Sequence, residues 1–348
     1  MAPTHTTEST RTWLVAYLEV VSPDTLEIVR SRLPPGFVLQ AVSDYSDEAA
    51  LQLLGQADFV LVATHPLPAD LISAAHNVRL IQHQGVGYDR TDVDAARAAG
   101  IPVALCPEGT TIGVAEHTLL LILAVYRQLL RADASLRAGE WLQFGLRAGS
   151  HELAGKCLGL VGFGRIGREV ARRARAFDAV VWYHDLLRLT AAEAQALGVS
   201  YRSLESLLAE ADIVSLHLPS TPQTYHVIDE DALARMRRGS ILINTARGSL
   251  VDQPALVAAL QSGHLGGAGL DVFAEEPPAP GDPLLSLPNV VLTPHVAAGT
   301  RDALITKMDA AFANMQRVAR GEPPVHVAAE SLRDEDAQAA VGLPGGAS

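Results

Sequence analysis

One segment restricts the fold of this chain more than any other. An apolar run, Lys156–Val161, reads as a strand. It is followed by Gly162-Phe163-Gly164-Arg165-Ile166-Gly167 and then by a helical pattern over Ile166–Phe177. Each glycine has its own physical reason: Gly162 permits a tight turn, Gly164 lets the backbone approach a pyrophosphate, and Gly167 permits close helix–strand packing. The helix N-terminus, with Arg165 and Ile166 in its first turn, offers free N–H groups and the positive end of its dipole to phosphates. An acidic residue is then expected about 20 positions on, at the end of the next strand (Val180–Tyr183). Asp185 stands 18 positions after Gly167. Its carboxylate suits the two hydroxyls of a ribose and repels a 2′-phosphate, so NAD is expected over NADP, with nearby Arg188 keeping NADP in view. Gly155-Lys156 mimics the end of a phosphate-binding loop, but Cys157 replaces the required Ser or Thr and a strand follows where a helix should.

The rest of the chain fits a strand–helix alternation. Leu14–Val21, Val38–Val42, Phe59–Ala63, Val78–Ile81 and Pro102–Leu105 read as strands; Asp24–Arg32, Asp47–Leu54, Ala69–Ala75 and Asp92–Ala99 read as helices, the last closed by Gly100. A long helix is expected over Val114–Leu130, then an irregular arm, Arg131–Ser150. After the glycine segment come strands at Ile213–Leu216, Ser240–Asn244, Gly267–Leu270 and Val290–Leu292, a Pro-rich loop Glu276–Pro288, and a helix over Thr300–Arg320. A small-residue tail from about Glu330 reads as disordered. The chain therefore reads as α/β, with two doubly wound domains. Its 348 residues exceed the roughly 250–300 at which one core stops growing. Because one long helix remains after the second alternating block, the first domain is expected to be discontinuous, residues 1–112 plus 300–348, around a continuous cofactor domain, 113–299. A cleft between the two would be the natural ligand site.

Composition narrows the partners. Lys plus Arg number 27 against 39 Asp plus Glu, a net charge of −12, so the clustered positive field of a nucleic-acid binder is not expected. The two cysteines, Cys106 and Cys157, suggest neither a disulfide framework nor a zinc site, and no His spacing suggests a metal. The apolar run Leu119–Tyr126 is too short for a membrane span, and the polar first ten residues lack a basic leader, so the expectation is a cytoplasmic protein without a membrane partner.

Three further segments each follow a strand: Asn244-Thr245-Ala246-Arg247-Gly248, Asp271-Val272-Phe273-Ala274-Glu275-Glu276-Pro277 and Thr293-Pro294-His295. In a doubly wound sheet, strand ends of this kind face one crevice. A guanidinium there grips a carboxylate bidentately, an imidazole exchanges a hydroxyl proton while hydride moves to or from a nicotinamide, and a carboxylate stabilises the imidazolium. Singly, Arg247 could be a surface arginine, His295 a capped loop histidine and Glu276 a solvated charge. Together at three strand ends they read as catalytic.

With these motifs in hand, the chain resembles the D-isomer-specific 2-hydroxyacid dehydrogenases. The similarity runs from Gln84-Gly85-Val86-Gly87-Tyr88-Asp89 through Val114-Ala115-Glu116-His117, the glycine segment and His217-Leu218-Pro219-Ser220-Thr221-Pro222 to Pro294-His295-Val296-Ala297. The resemblance implies a Rossmann NAD-binding domain and a flavodoxin-like substrate domain, with interconversion of a 2-oxo acid and a D-2-hydroxy acid. It implies Arg247 as substrate-carboxylate ligand, His295 as acid/base and Glu276 as its partner, and backbone groups of Gly85, Val86 and Gly87 on the substrate carboxylate. It also implies Asp271 at the nicotinamide carboxamide, with Thr245, Ala246, Leu218 and the adjoining His217 and Pro219 along the cofactor. The arm Arg131–Ser150 resembles the family's dimerisation segment, so a homodimer is expected. Two alternatives share the scaffold: an NADH-sensing corepressor-like module and a phosphite or phosphonate oxidiser.

Overall fold

A computed structural model describes residues 11–328; the polar first ten residues and the tail from about Glu330 lie outside them. Within these bounds the chain divides into two compact units, residues up to 110 together with those from 301, and residues 111–300.

In the first unit β1 (Trp13–Tyr17), β2 (Phe37–Ala41), β3 (Phe59–Val62), β4 (Ile81–His83) and β5 (Val103–Ala104) alternate with α1 (Pro23–Ser31), α2 (Asp47–Leu54), α3 (Ala69–Ser73) and α4 (Val93–Ala99). All strand pairs are parallel, in the flavodoxin-like order β2-β1-β3-β4-β5. The central strands β1 and β3 are apolar without alternation because helices cover both faces. Val15, Tyr17, Phe59 and Leu61 pack with Met308, Phe312 and Met315 of the helix Arg301–Ala319. Ala16, Val60 and Val62 face Leu54, Leu71 and Ile72. Each such large side chain stabilises the unit by about 1.5–3 kcal/mol. Helix starts are set by Ser22, Ser46 and Asp92, whose side chains accept an N–H three residues on. Gly100, at φ +72°, ends α4 in the left-handed conformation that Gly adopts without strain.

The second unit opens with α5 (Thr111–Tyr126) and α6 (Leu129–Arg137) and continues β6 (Cys157–Val161), α7 (Arg165–Arg175), β7 (Val180–His184), α8 (Ala191–Leu197), β8 (Val199–Tyr201), α9 (Leu204–Glu210), β9 (Ile213–Leu216), α10 (Glu230–Arg235), β10 (Ile241–Asn244), α11 (Gln253–Gln261), β11 (Gly267–Leu270) and β12 (Val290–Leu292). Seven parallel strands run β8-β7-β6-β9-β10-β11-β12, so the order reverses between β6 and β9, as in a Rossmann domain. The long helix α5 lies directly on β11. A Cβ added at Gly267 would come within 2.8 Å of Val125 Cγ1, and one at Gly269 within 2.9 Å of Leu121 Cβ.

The elements depart from the sequence pattern most clearly around residues 126–137, 78–83 and 185–212. The helix expected over Val114–Leu130 stops at Tyr126, and α6 continues at a 61° bend. Gln128 takes a left-handed backbone, φ +49°, and its side-chain amide donates to Leu146 O at 3.0 Å, which secures the bend to the following arm. The arm expected to be irregular is therefore helical as far as Arg137. The strand expected at Val78–Ile81 lies at Ile81–His83, where Gln82 is buried, because Gln82 Oε1 accepts from Asn314 Nδ2 at 2.7 Å. The segment 185–212, which lacked an apolar run, holds α8, β8 and α9. Among the described residues no single helix is long and apolar enough to cross a membrane.

Candidate cofactor and catalytic site

The second sheet is parallel, so the carboxyl ends of β6, β7, β9, β10, β11 and β12 share one edge. Gly162, Asp185, His217, Thr245, Asp271 and Thr293 each stand at or just beyond one of those ends.

Gly162 turns at φ +97°, where a Cβ would run into the carbonyl oxygen of His217. Gly167 is held against the same turn; a Cβ there would lie 2.5 Å from Gly162 O. Gly164 is exposed and faces open space, so the backbone is approachable. It is also the N-cap of α7 and provides no side-chain acceptor, so the N–H groups of the Arg165–Ile166–Gly167 turn are not capped by a side chain. Asp185 follows β7. Its Oδ2 accepts the Phe163 N–H at 2.7 Å and its Oδ1 the Leu187 N–H at 2.9 Å, which leaves a second lone pair on each oxygen. Arg188 stacks on Tyr201, 4.0 Å from the ring centroid, and donates to its hydroxyl at 3.2 Å. This glycine turn, uncapped helix end and carboxylate fit a dinucleotide.

His217, Leu218 and Pro219 follow β9. His217 donates its backbone N–H to Val161 O at 2.8 Å, and its Nε2 lies 3.0 Å from Ser215 Oγ. Desolvation pushes its imidazole down to about 4, so it is neutral at physiological pH. Asn244 clamps the next loop, accepting from Ala246 N at 3.0 Å and donating to Arg247 O at 2.8 Å. Arg247 is half-buried and donates to Ala246 O at 2.7 Å. Sequence reasoning passes over Gly248. A Cβ there would run into the Phe273 carbonyl, so the Arg247 loop and the loop bearing Glu276 approach only because this residue is Gly.

His295 and Glu276 meet: Nδ1 lies 2.9 Å from Oε2. Glu276 Oε1 also accepts the Phe273 N–H at 3.1 Å. Burial pushes the Glu276 carboxyl up, but it lies below its usual range. The hydrogen bond and charge of His295, the Phe273 N–H and the Arg247 charge outweigh burial. His295 itself is at φ +52°, a left-handed backbone that costs a non-glycine residue roughly 1–2 kcal/mol. That conformation is held from below by Asp271. Its backbone carbonyl accepts the His295 N–H at 2.8 Å, and its fully buried carboxylate accepts Val296 N and Ala297 N, each at 2.9 Å, and Thr293 Oγ1 at 2.6 Å. The sequence-based expectation puts Asp271 against a nicotinamide carboxamide. In the structure three donors of the His295 loop converge on its carboxylate, so Asp271 also anchors that loop.

Gly85, Val86 and Gly87 belong to the first unit, just beyond β4. Gly85 O accepts from Cys106 N at 2.9 Å, a Cβ on Gly85 would meet open space, and Val86 is exposed.

Sheet order, glycine turn and an imidazole–carboxylate pair define a dinucleotide-dependent oxidoreductase of the doubly wound class. The D-isomer specific 2-hydroxyacid dehydrogenase, NAD binding domain family matches residues 119–297. A glyoxylate reductase of Korarchaeum cryptofilum is 42% identical over 267 residues, covering 76% of this chain and 80% of that protein. Solved structures match as well. A protein of Thermus thermophilus has a TM-score of 0.81 at 37% identity, over 90% of this chain and 99% of that one. An NADPH-dependent glyoxylate/hydroxypyruvate reductase of Sinorhizobium meliloti, in complex with NADP and malonate, has a TM-score of 0.78 at 32% identity, over 92% and 97%. The chain belongs to the D-isomer-specific 2-hydroxyacid dehydrogenases. It is an NAD(H)-binding enzyme that interconverts 2-oxo acids and D-2-hydroxy acids. The comparisons give no support to a corepressor-like module or a phosphite oxidiser.

Proposed function

We propose that the chain reduces small 2-oxo acids such as glyoxylate, hydroxypyruvate or pyruvate, with His295 as the acid/base. The observation that carries this reading is the 2.9 Å contact between His295 Nδ1 and Glu276 Oε2. With Nδ1 engaged, Nε2 is the ring atom that gives a proton to the 2-oxo oxygen in reduction and takes it from the 2-hydroxyl in oxidation. Glu276 orients the ring and stabilises the imidazolium. Arg247 binds the substrate carboxylate, and Gly85, Val86 and Gly87 offer backbone groups to it, which makes the first unit the substrate domain. The nicotinamide, when bound, supplies or accepts the hydride. Turnover of a 2-oxo acid panel with NADH and with NADPH tests the reading, and no turnover with any of them would overturn it.

NAD is the preferred cofactor in this reading. What supports it is the Asp185 carboxylate beyond β7, suited to ribose hydroxyls and repelling a 2′-phosphate, and the engagement of Arg188 with Tyr201. Asp185→Ala should lower the kcat/KM ratio of NADH over NADPH by about 10-fold or more, the loss of a charge-assisted contact and of a repulsion. An unchanged ratio would contradict the ribose assignment. The protein is read as a cytoplasmic homodimer, without nucleic-acid or membrane partners, joined through the 131–150 arm. That arm exposes Leu136, Trp141 (76%) and Phe144 (70%), the large apolar residues that anchor interfaces. Light scattering should halve the particle mass for the double variant Trp141→Asp/Phe144→Asp; a wild-type monomer at micromolar concentration would contradict the dimer.

A further inference from the structure

The loop that carries His295 is held by groups outside the reacting ones, and the chain of contacts leads back to α5. Asp271 accepts the backbone N–H groups of Val296 and Ala297 and the hydroxyl of Thr293. That hydroxyl has one proton, and it goes to Asp271 Oδ1. The Thr293 oxygen is therefore an acceptor toward its other neighbour, His117 Nε2, at 2.9 Å. His117 must donate from Nε2, which fixes its tautomer. Its side chain is 13% exposed, and it stands on the helix that Gly267 and Gly269 bring directly onto β11. The next residue does the same for a second loop. Thr118 Oγ1 donates to Val114 O at 2.8 Å, so at 3.0 Å it accepts from Thr245 Oγ1, two residues before Arg247.

We propose that His117 is a positioning residue for the oxidoreduction, acting through Thr293 and Asp271 on the backbone of His295. The inference rests on His295 being the acid/base. The need for such a device follows from the left-handed backbone of His295: a strained conformation persists only when its surroundings over-determine it. His117 supplies that from a rigid helix, not from another loop. A proton-transferring ring displaced by about 1 Å loses on the order of 10²-fold in rate.

The test uses the full chain, NADH and a 2-oxo acid that the wild type reduces. NADH binding stoichiometry is measured by fluorescence, and the single-turnover rate of NADH oxidation is taken per bound cofactor, so that the rate constant does not depend on the folded fraction. His117→Phe should lower that rate constant by about 10²-fold while NADH still binds. His117→Gln, which keeps a donor at similar reach, should recover most of the loss. Thr293→Val should behave like His117→Phe, and the double variant should be little worse than either single one, because both interrupt one chain. Thr118→Val, acting on the Arg247 loop, should raise KM for the 2-oxo acid and leave the rate constant near wild type. A wild-type rate constant per bound NADH in His117→Phe, with any loss appearing only as a smaller NADH-binding fraction, overturns the proposal. If His117→Phe does not fold, Thr293→Val decides between the same two outcomes. A wild-type rate in His295→Gln would instead overturn the acid/base assignment, so the two failures are distinct.

Discussion

Replacing His295 by Gln should lower kcat by about 10²- to 10⁴-fold, the range for loss of a general acid/base, while NADH affinity stays close to wild type. The amide can still hydrogen-bond to Glu276 but cannot exchange a proton at neutral pH. Stopped-flow oxidation of NADH with a 2-oxo acid in excess measures it, and a kcat within a few-fold of wild type would remove His295 from the chemistry. Glu276→Gln should cost less, about 10- to 10²-fold, because the ring loses the charge that stabilises its imidazolium but keeps a partner. The pH dependence follows from the lowered carboxyl of Glu276. A depressed carboxyl keeps its charge at and above the ordinary carboxylate value of 4.5 and loses it only as pH falls through the lower folded value. The His295–Glu276 pair should therefore persist across the neutral and mildly acidic range, and its contribution to kcat should fade only below about pH 4.5. Loss of the Glu276 contribution at higher pH would mean that the carboxyl is not held down as the structure indicates.

Arg247→Ala should have the second largest effect, and on a different parameter. A bidentate guanidinium–carboxylate grip is two charge-assisted hydrogen bonds, about 3 kcal/mol or more, so KM for the 2-oxo acid should rise by about 10²-fold or more. Arg247→Lys should recover little of this, because an ammonium lacks the planar fork. The side chain donates to Ala246 O, and its loop is clamped by Asn244 and kept against Phe273 by Gly248. The loop therefore arrives ordered, and the loss on substitution should be of contact with substrate. An unchanged KM would contradict the clamp and would point to an electrostatic role toward Glu276.

What is legible in the chain depends on distance along it. Gly162, Gly164, Gly167 and Asp185 lie within one strand–turn–helix–strand unit, so their spacing alone conveys the turn, the exposed backbone and the carboxylate beyond β7. Arg247, Glu276 and His295 can be placed because each follows an apolar strand and parallel strands end on one edge. The length of α5 cannot be read, because helical periodicity runs on past Tyr126 and only the anchoring of Gln128 to Leu146 breaks it. The start of β4 is hidden for a similar reason. An apolar run is the sequence signal for a buried strand, but Gln82 is buried by an amide partner 232 residues away.

The sequence alone thus determined most of the alternation of elements and the cofactor turn, which follow from local periodicity and backbone stereochemistry, and it singled out the side chains proposed to react. Only the tertiary structure decided how those side chains are held. His117 meets Thr293 across 176 residues, and Asp271 holds the His295 loop through its carboxylate. The reason is physical: a hydrogen bond between distant residues leaves no period in the chain. Where a buried carboxylate finds its donors is settled only when the strands and α5 have packed.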